Sequence, residues 1–438
     1  MSLTSIAFLI VFALFIAASL LRNPIYGVIG YYVTYIISPA TRWWGESLAE
    51  MGVRFSYIMA AAAILSLAIH FKKLKPTNSG ISMQEVFLWL FVASIWIAGM
   101  MNPQIAGGEN QALKLTKAAL MLFVLKRSID DFPKYRWVVW ALLIASFYGA
   151  FDTRLLANRI GGRIQSGSGG SDFLEGNFLA AHLSMLLPFL GVFFICGRWK
   201  TRIFLVCAAA IMVDVIVQCR SRGAFLAIIV GAGAALLFAP AGTRKKIYPL
   251  ILLGALGAFA LVDIGFWDRM SKINSIATEE EEDKSSTGRL LAWRAALSMA
   301  SDHPLGIGFN NFKVRVGNYQ PSIPGKDTHN TYLRCLSELG VQGLLFLALL
   351  IWNAMRQTYR LHKRREPEPD SSNYALIAWA TGIALVIYLS AGMFISLTYV
   401  EDFYLLLMLP DALSKHRRSE MIEQGPELAD ISEARTDV

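Results

Sequence analysis

Long apolar runs separated by short polar turns make up most of the chain. The runs occupy residues 3–21, 25–37, 55–71, 86–101, 112–125, 137–151, 178–196, 203–219, 224–239 and 250–264, then 341–355, 374–394 and 403–413. A run of about 20 apolar residues crosses a bilayer core as a helix, because a helix satisfies its own backbone polar groups there. The short alternating segments of a membrane barrel are absent. The pattern predicts an all-α polytopic membrane protein with about 12–13 transmembrane helices. The first run has neither a basic flank nor a small-residue cleavage site, so it reads as a retained helix. One long polar stretch, 263–340, interrupts the series and predicts a partly helical loop. Within it, 287–301 has helical spacing, with Leu290, Trp293, Leu297 and Ala300 on one face. The preceding acidic block, 279–283, predicts a solvated segment.

Composition agrees. The chain has 438 residues, 55% hydrophobic and 17% charged. That charged share is low beside the roughly 25% usual in soluble domains. The net charge of +9 would suggest nucleic acid on a soluble domain. Here the basic residues gather in turns at 72–75, 126–136, 198–202, 244–246, 356–365 and 415–418, which fixes those turns on the cytoplasmic side. The loops at 102–111, 152–177, 220–223, 263–340 and 396–402 then face outward. Three regions follow: helices and outer loops over 1–176, a second membrane domain over 177–413, and a polar cytoplasmic tail over 414–438. Cys196, Cys207, Cys219 and Cys335 lack metal-ligand spacing and read as small buried residues.

The outward loops carry the side chains suited to chemistry. Arg220 and Arg222 flank Ser221 just before Gly223, where two apolar runs meet. Charge at that depth is costly and is usually paired or functional. A guanidinium presents a planar fork of donors that fits phosphate oxygens. Arg154, Arg159 and Arg163 precede a Gly/Ser-rich stretch in 152–177, against the inside bias of basic residues. His329 lies in a polar segment before the next helix and could accept a proton from a hydroxyl. His182 lies inside an apolar run, where a hydrogen-bonded core role competes with a functional one. His303, before Pro304, reads as a turn residue. Asp214, with Lys114 and Lys117 as candidate basic partners, is the clearest acidic candidate for a mid-membrane transport site, a set thin for a transporter and equally suited to a structural buried network.

Four elements in order give a resemblance. They are Ser221-Arg222-Gly223, Gly288-Arg289 with Trp293, His303 through Gly308, and His329-Asn330-Thr331-Tyr332-Leu333 with Glu338 and Gly340. Together they resemble the O-antigen ligase and polymerase superfamily over about residues 178–352. The N-terminal part, with Arg22-Asn23-Pro24 and Trp43-Trp44-Gly45, resembles the O-glycosylation ligases of exosortase-associated systems.

The resemblance implies a glycosyltransferase on the periplasmic side of a bacterial inner membrane. Its donor would be an undecaprenyl-diphosphate-linked glycan, and its acceptor a hydroxyl on lipid A core sugar or protein Ser/Thr. Neither metal nor cofactor nor nucleic acid is implied. Carried onto this chain, Arg222 and Arg289 would bind the diphosphate, with Arg220 as a neighbour. His329 would be the base of an inverting displacement. Asn330, Tyr332, Arg159, Arg163 and His182 are supporting candidates. A polymerase of the same superfamily and a non-catalytic transporter are the competing readings.

Overall fold

The computed structural model describes residues 1–72, 80–105, 107–160, 162–165, 170–262, 283–363 and 371–423. Most of the expected acidic block, most of the Gly/Ser-rich stretch and the end of the C-terminal tail lie outside those residues.

A helix occupies every apolar run of the sequence. In chain order they are α1 (Leu3–Leu21), α2 (Ile25–Ile37), a short α3 (Glu46–Glu50), α4 (Phe55–His70), α5 (Met83–Met101), α6 (Gln111–Ser128) and α7 (Phe132–Leu156). A two-residue-per-strand hairpin follows, β1 (Arg159–Ile160) with β2 (Arg163–Ile164), paired antiparallel. Then come α8 (Gly176–Cys196), α9 (Trp199–Gln218), α10 (Arg222–Leu237), α11 (Arg244–Leu261), α12 (Asp283–Asp302), α13 (Phe312–Tyr319), α14 (Thr331–Lys363), α15 (Ser371–Ala391) and α16 (Glu401–Glu423). Among the described residues, seven helices are long and apolar enough to cross a membrane: α1, α5, α7, α8, α9, α14 and α15. The chain is an all-α, multi-pass membrane protein.

Local chemistry sets the helix starts. Ser82 and Glu85 form a reciprocal cap on α5, and the Asp131 carboxylate accepts from Lys134 N at 2.7 Å at the start of α7. α15 is the central helix, packed against α8, α10 and α14, while α5 lies along α14 and α2 lies between α4 and α7. Large apolar side chains also cover the outer surface, such as Leu252, Leu253, Leu256 and Phe259 along α11. A soluble surface would not carry so continuous an apolar belt.

Charges inside the bundle are paired, as a low-dielectric setting requires. Lys126 meets Glu85 and Asp411, each at 2.7 Å, and Arg42 meets Asp152. Two expectations change here. Asp214 pairs with Arg154 and Gln218, not with Lys114 or Lys117, because its position on α9 faces the last turn of α7. Cys219 and Cys335 are buried, but Cys196 and Cys207 lie on the bundle's exposed surface, where an apolar thiol suits lipid as well as core.

The long loop has its own small core of Ala292, Ala295, Ala296, Met299, Ile307, Phe312, Val316 and Ile323. This corrects the predicted face of α12. Leu290 is 56% and Leu297 53% exposed, while Ala292, Ala295 and Ala296 on another face are fully buried. Small residues allow α12 to approach α14 closely, so the alanine stripe packs and the leucines do not.

Candidate functional site

The site is built on a break in α14. Gly340 has φ 74° and interrupts the helix between a first segment from Thr331 and a longer one from Val341. The His303–Gly308 turn docks into that break. Ile307 N donates to Ser337 O at 2.9 Å, Gly308 N to Glu338 O at 3.0 Å, and Val341 N to Pro304 O at 2.9 Å. A Cβ on Gly340 would lie 2.4 Å from Pro304 O, so only glycine fits the crossing. Glu338 is fully buried and accepts from Tyr399 OH at 2.7 Å, Phe312 N at 3.1 Å and Arg334 Nε at 3.3 Å. Thus the His303–Gly308 and Glu338–Gly340 motifs act as a clamp that fixes the start of α14.

His329 stands immediately before that start, in the left-handed region at φ 45°. A non-glycine residue there costs about 1 kcal/mol and persists only where its surroundings hold it. The neighbours do hold it. The Asn330 side chain caps α14 by accepting from Tyr332 N and Leu333 N, both at 3.0 Å, and donates to Met393 O at 3.2 Å. Thr331 Oγ1 donates to Ile395 O at 2.8 Å and accepts from Leu397 N at 2.9 Å. Tyr332 OH donates to Leu389 O at 2.8 Å. Asn330 and Tyr332 therefore position His329, with their polar atoms committed to the scaffold.

The arginines come to the same place by three routes. Trp293, one turn beyond Arg289 on α12, donates from Nε1 to Thr328 O at 2.9 Å. Arg222 is the first residue of α10. Behind it Gly223 packs on Phe394, where a Cβ would lie 2.6 Å from the Phe394 Cβ, so this turn meets the loop that fastens Thr331. Arg163 donates from Nε to Cys219 O at 3.0 Å and from Nη2 to Asn177 Oδ1 at 3.2 Å, which ties the hairpin to the α9–α10 junction. Arg220, also left-handed at φ 45°, lies against Gly162 of the hairpin.

The charges feel one another. Burial, then the positive charges of Arg222 and Arg163, push Arg289 below the usual arginine range, with Glu175 opposing. Burial is also the first cause that lowers His329. Asp327 opposes it, Arg289 adds to it, Glu175 opposes it and Lys313 adds to it. The His329 imidazole is therefore held toward its neutral form, set among cations. Neither Arg222 nor Arg289 has a carboxylate within salt-bridge distance among the described residues, although both are half-buried.

Arg222, Arg289, Arg163 and His329 thus share one site, with Arg220 beside it. Arg159 does not join them, since its guanidinium turns back to Arg154 O at 2.7 Å on an exposed strand. His182 is also elsewhere. It is buried in the bundle with Ser146 Oγ at 2.8 Å and Asp402 Oδ2 at 2.6 Å. Sequence reasoning left out Glu175, Asp327 and Lys313. Asp327 could have been found two positions before His329, but nothing in the sequence marks Lys313 or Glu175 as its neighbours.

Residues 207–348 match the family model described as O-antigen ligase (Wzy_C). The matched stretch contains Arg220, Arg222, Arg289 and His329 and leaves Arg163 and the first eight helices outside. No protein of curated function matches the chain. The match supports a glycosyltransferase-like enzyme of the O-antigen ligase and polymerase type.

Proposed function

We propose that the chain moves a glycan from a polyprenyl diphosphate, undecaprenyl diphosphate in bacteria, to an acceptor hydroxyl on the periplasmic face of the inner membrane. The observation that carries this reading is the pair Arg222 and Arg289, half-buried, mutually repelling and with no carboxylate within salt-bridge distance among the described residues, beside a His329 that burial holds toward its neutral form. Like charges held together in a partly desolvated place call for an anion between them.

In the reaction the acceptor hydroxyl oxygen attacks the anomeric carbon as its proton passes to the His329 ring. The bond from the anomeric carbon to the diphosphate oxygen breaks, and the polyprenyl diphosphate leaves with the electron pair. One displacement inverts the anomeric centre. The donor is already activated, so the protein's task is to orient the two substrates and stabilise the charge that grows on the leaving group. Arg222 and Arg289 contribute that stabilisation, and Arg163 holds the hairpin against them while adding its field. The acceptor is a lipid A core sugar or a protein Ser/Thr hydroxyl, the second being the choice expected of an exosortase-associated O-glycosylation ligase.

Reconstitution with a polyprenyl-diphosphate glycan and each acceptor, followed by mass spectrometry, tests the reading. Transfer that is lost in His329→Ala supports it. Full activity of folded His329→Ala protein would sink it. Product formed only on a second lipid-linked glycan would assign the chain to the polymerases.

A further inference from the structure

A second recess lies away from the arginines. A cavity of about 700 Å³ opens on the bundle flank between α2, α4 and α6, with Glu401 of α16 also lining it. None of Arg163, Arg222, Arg289 and His329 lines it. It lies toward the same end of the bundle as His329, because α14 and α16 both begin there and residues 392–400 connect the two.

The recess is graded along its depth. Arg54, Tyr57, Asn110 and Lys117 stand toward the N-terminal ends of α4 and α6, while Ile64 and Leu120 lie deeper along the same helices. Phe55 to Ile64 covers nine helical steps of α4, or about 14 Å at the rise of a helix. That is close to half of the roughly 30 Å hydrocarbon core, the depth of one leaflet. Ile64 is 44% and Leu120 41% exposed, so the wall is open sideways toward lipid.

The rim carries charge that no described carboxylate neutralises. Lys117 Nζ bonds to Tyr57 OH at 2.8 Å and lies 4.4 Å from the centre of that ring, while the Arg54 guanidinium lies 5.3 Å from the same ring. Both cations are exposed, and neither has a carboxylate within salt-bridge distance among the described residues. The acidic groups of the recess are engaged elsewhere. Glu109 faces Lys114 at 3.7 Å, and Glu401 accepts from Tyr31 OH at 2.6 Å. One tyrosine thus holds together, above an apolar slot, two cations that no described carboxylate pairs.

We propose that this recess is a binding site for an anionic phospholipid. Its phosphate would sit between Arg54 and Lys117, and an acyl chain would run down past Ile64 and Leu120. The site stands independently of glycosyl transfer.

Native mass spectrometry of the full-length protein, titrated with phosphatidylglycerol and with phosphatidylcholine, tests it. Wild-type protein should retain phosphatidylglycerol over phosphatidylcholine. The double variant Arg54→Gln/Lys117→Gln should weaken phosphatidylglycerol retention by about 30-fold, as expected for two basic residues at a membrane surface. The charge-keeping variant Arg54→Lys/Lys117→Arg should retain it, which separates lost charge from lost folding. Equal retention of the two lipids by wild-type protein would overturn the site, and so would undiminished retention by the folded glutamine variant. A polyprenyl diphosphate that expels the phosphatidylglycerol one for one would also overturn it and give the recess to the donor.

Discussion

Trp293 and Thr328 are joined by a single hydrogen bond, from the indole nitrogen to the main-chain oxygen at 2.9 Å, and this bond links the helix of Arg289 to the segment of His329. Trp293→Phe keeps most of the packing and removes the donor. A lost hydrogen bond of this kind costs about 1 kcal/mol in stability, but a small displacement of reacting groups can cost more in rate. The expected outcome is a fall in kcat of about tenfold with little change in unfolding temperature. A Trp293→Phe enzyme with wild-type kcat would show that the bond does not set the site.

The pH profile should report His329 and its neighbours. Burial, Arg289 and Lys313 hold the ring below its ordinary 6.5, against Asp327 and Glu175. The base form therefore persists to lower pH, and kcat/KM should fall only as pH drops through a midpoint below 6.5. Removing a positive neighbour favours the imidazolium, so Arg289→Gln should move this midpoint upward. Removing a negative one has the opposite sign, and Asp327→Asn should move it downward. Bound diphosphate adds negative charge, so the midpoint for kcat should lie above that for kcat/KM. An acid limb that ignores Arg289→Gln would take His329 out of the proton transfer.

Donor affinity should divide between the two arginines. Charge-assisted bonds contribute about 1.5–3 kcal/mol each, so Arg222→Ala and Arg289→Ala should each weaken donor binding by about 10- to 100-fold. Lysine restores charge without the planar fork, so Arg222→Lys and Arg289→Lys should recover only part of it. Binding of a radiolabelled polyprenyl-diphosphate donor to detergent-solubilised protein measures this. Unchanged affinity in both alanine variants would dissolve the clamp.

Helix positions were legible because hydrophobic run length is a direct physical requirement of a membrane span. Each run from 3–21 to 403–413 became a helix, with ends that shifted where caps such as Asp131 or the break at Gly340 intervened. Arg222, Arg289 and His329 were legible because they sit in short motifs of unusual composition. The face of α12 was not, since spacing alone cannot tell an alanine stripe that packs closely from leucines that point away. The partners of Asp214 and Lys114 were not legible either. They come from α7 and from the segment before α8, and only the packing of the bundle brings those segments together. Arg163 was visible only as an outward charge. Its role emerged from a carbonyl on Cys219, far along the chain.

Gly223 offers a test of how tightly Arg222 is seated. Its added Cβ would lie 2.6 Å from the Cβ of Phe394, a contact that requires the loop at 392–400 or the first turn of α10 to move. Overpacking of this sort costs about 1–3 kcal/mol. Gly223→Ala should lower both thermal stability and donor affinity, and it should cost less stability in a Phe394→Gly background, which removes the opposing Cβ. Failure of the second change to compensate would mean that Gly223 is needed for another reason.

The most tempting false site lies inside the bundle. Ser146, His182 and Asp402 have the order and spacing of a nucleophile relay, at 2.8 Å and 2.6 Å, and Tyr388 OH completes the carboxylate at 2.7 Å. Their exposures of 2%, 1% and 2% leave no path for a substrate, and Phe173 packs on the imidazole with ring centres 4.5 Å apart. The group instead joins α7, α8 and α16 just below the loop that fastens Thr331. His182→Ala would strip Asp402 of one buried hydrogen-bond partner, a kind of change that costs about 1–3 kcal/mol. The expected result is a loss of thermal stability with nearly normal kcat in the fraction that remains folded. Ser146→Ala should keep activity, and a fluorophosphonate probe should leave Ser146 unlabelled in the folded enzyme. Labelling of Ser146, or loss of kcat in stable Ser146→Ala protein, would make this cluster a working site and not a brace.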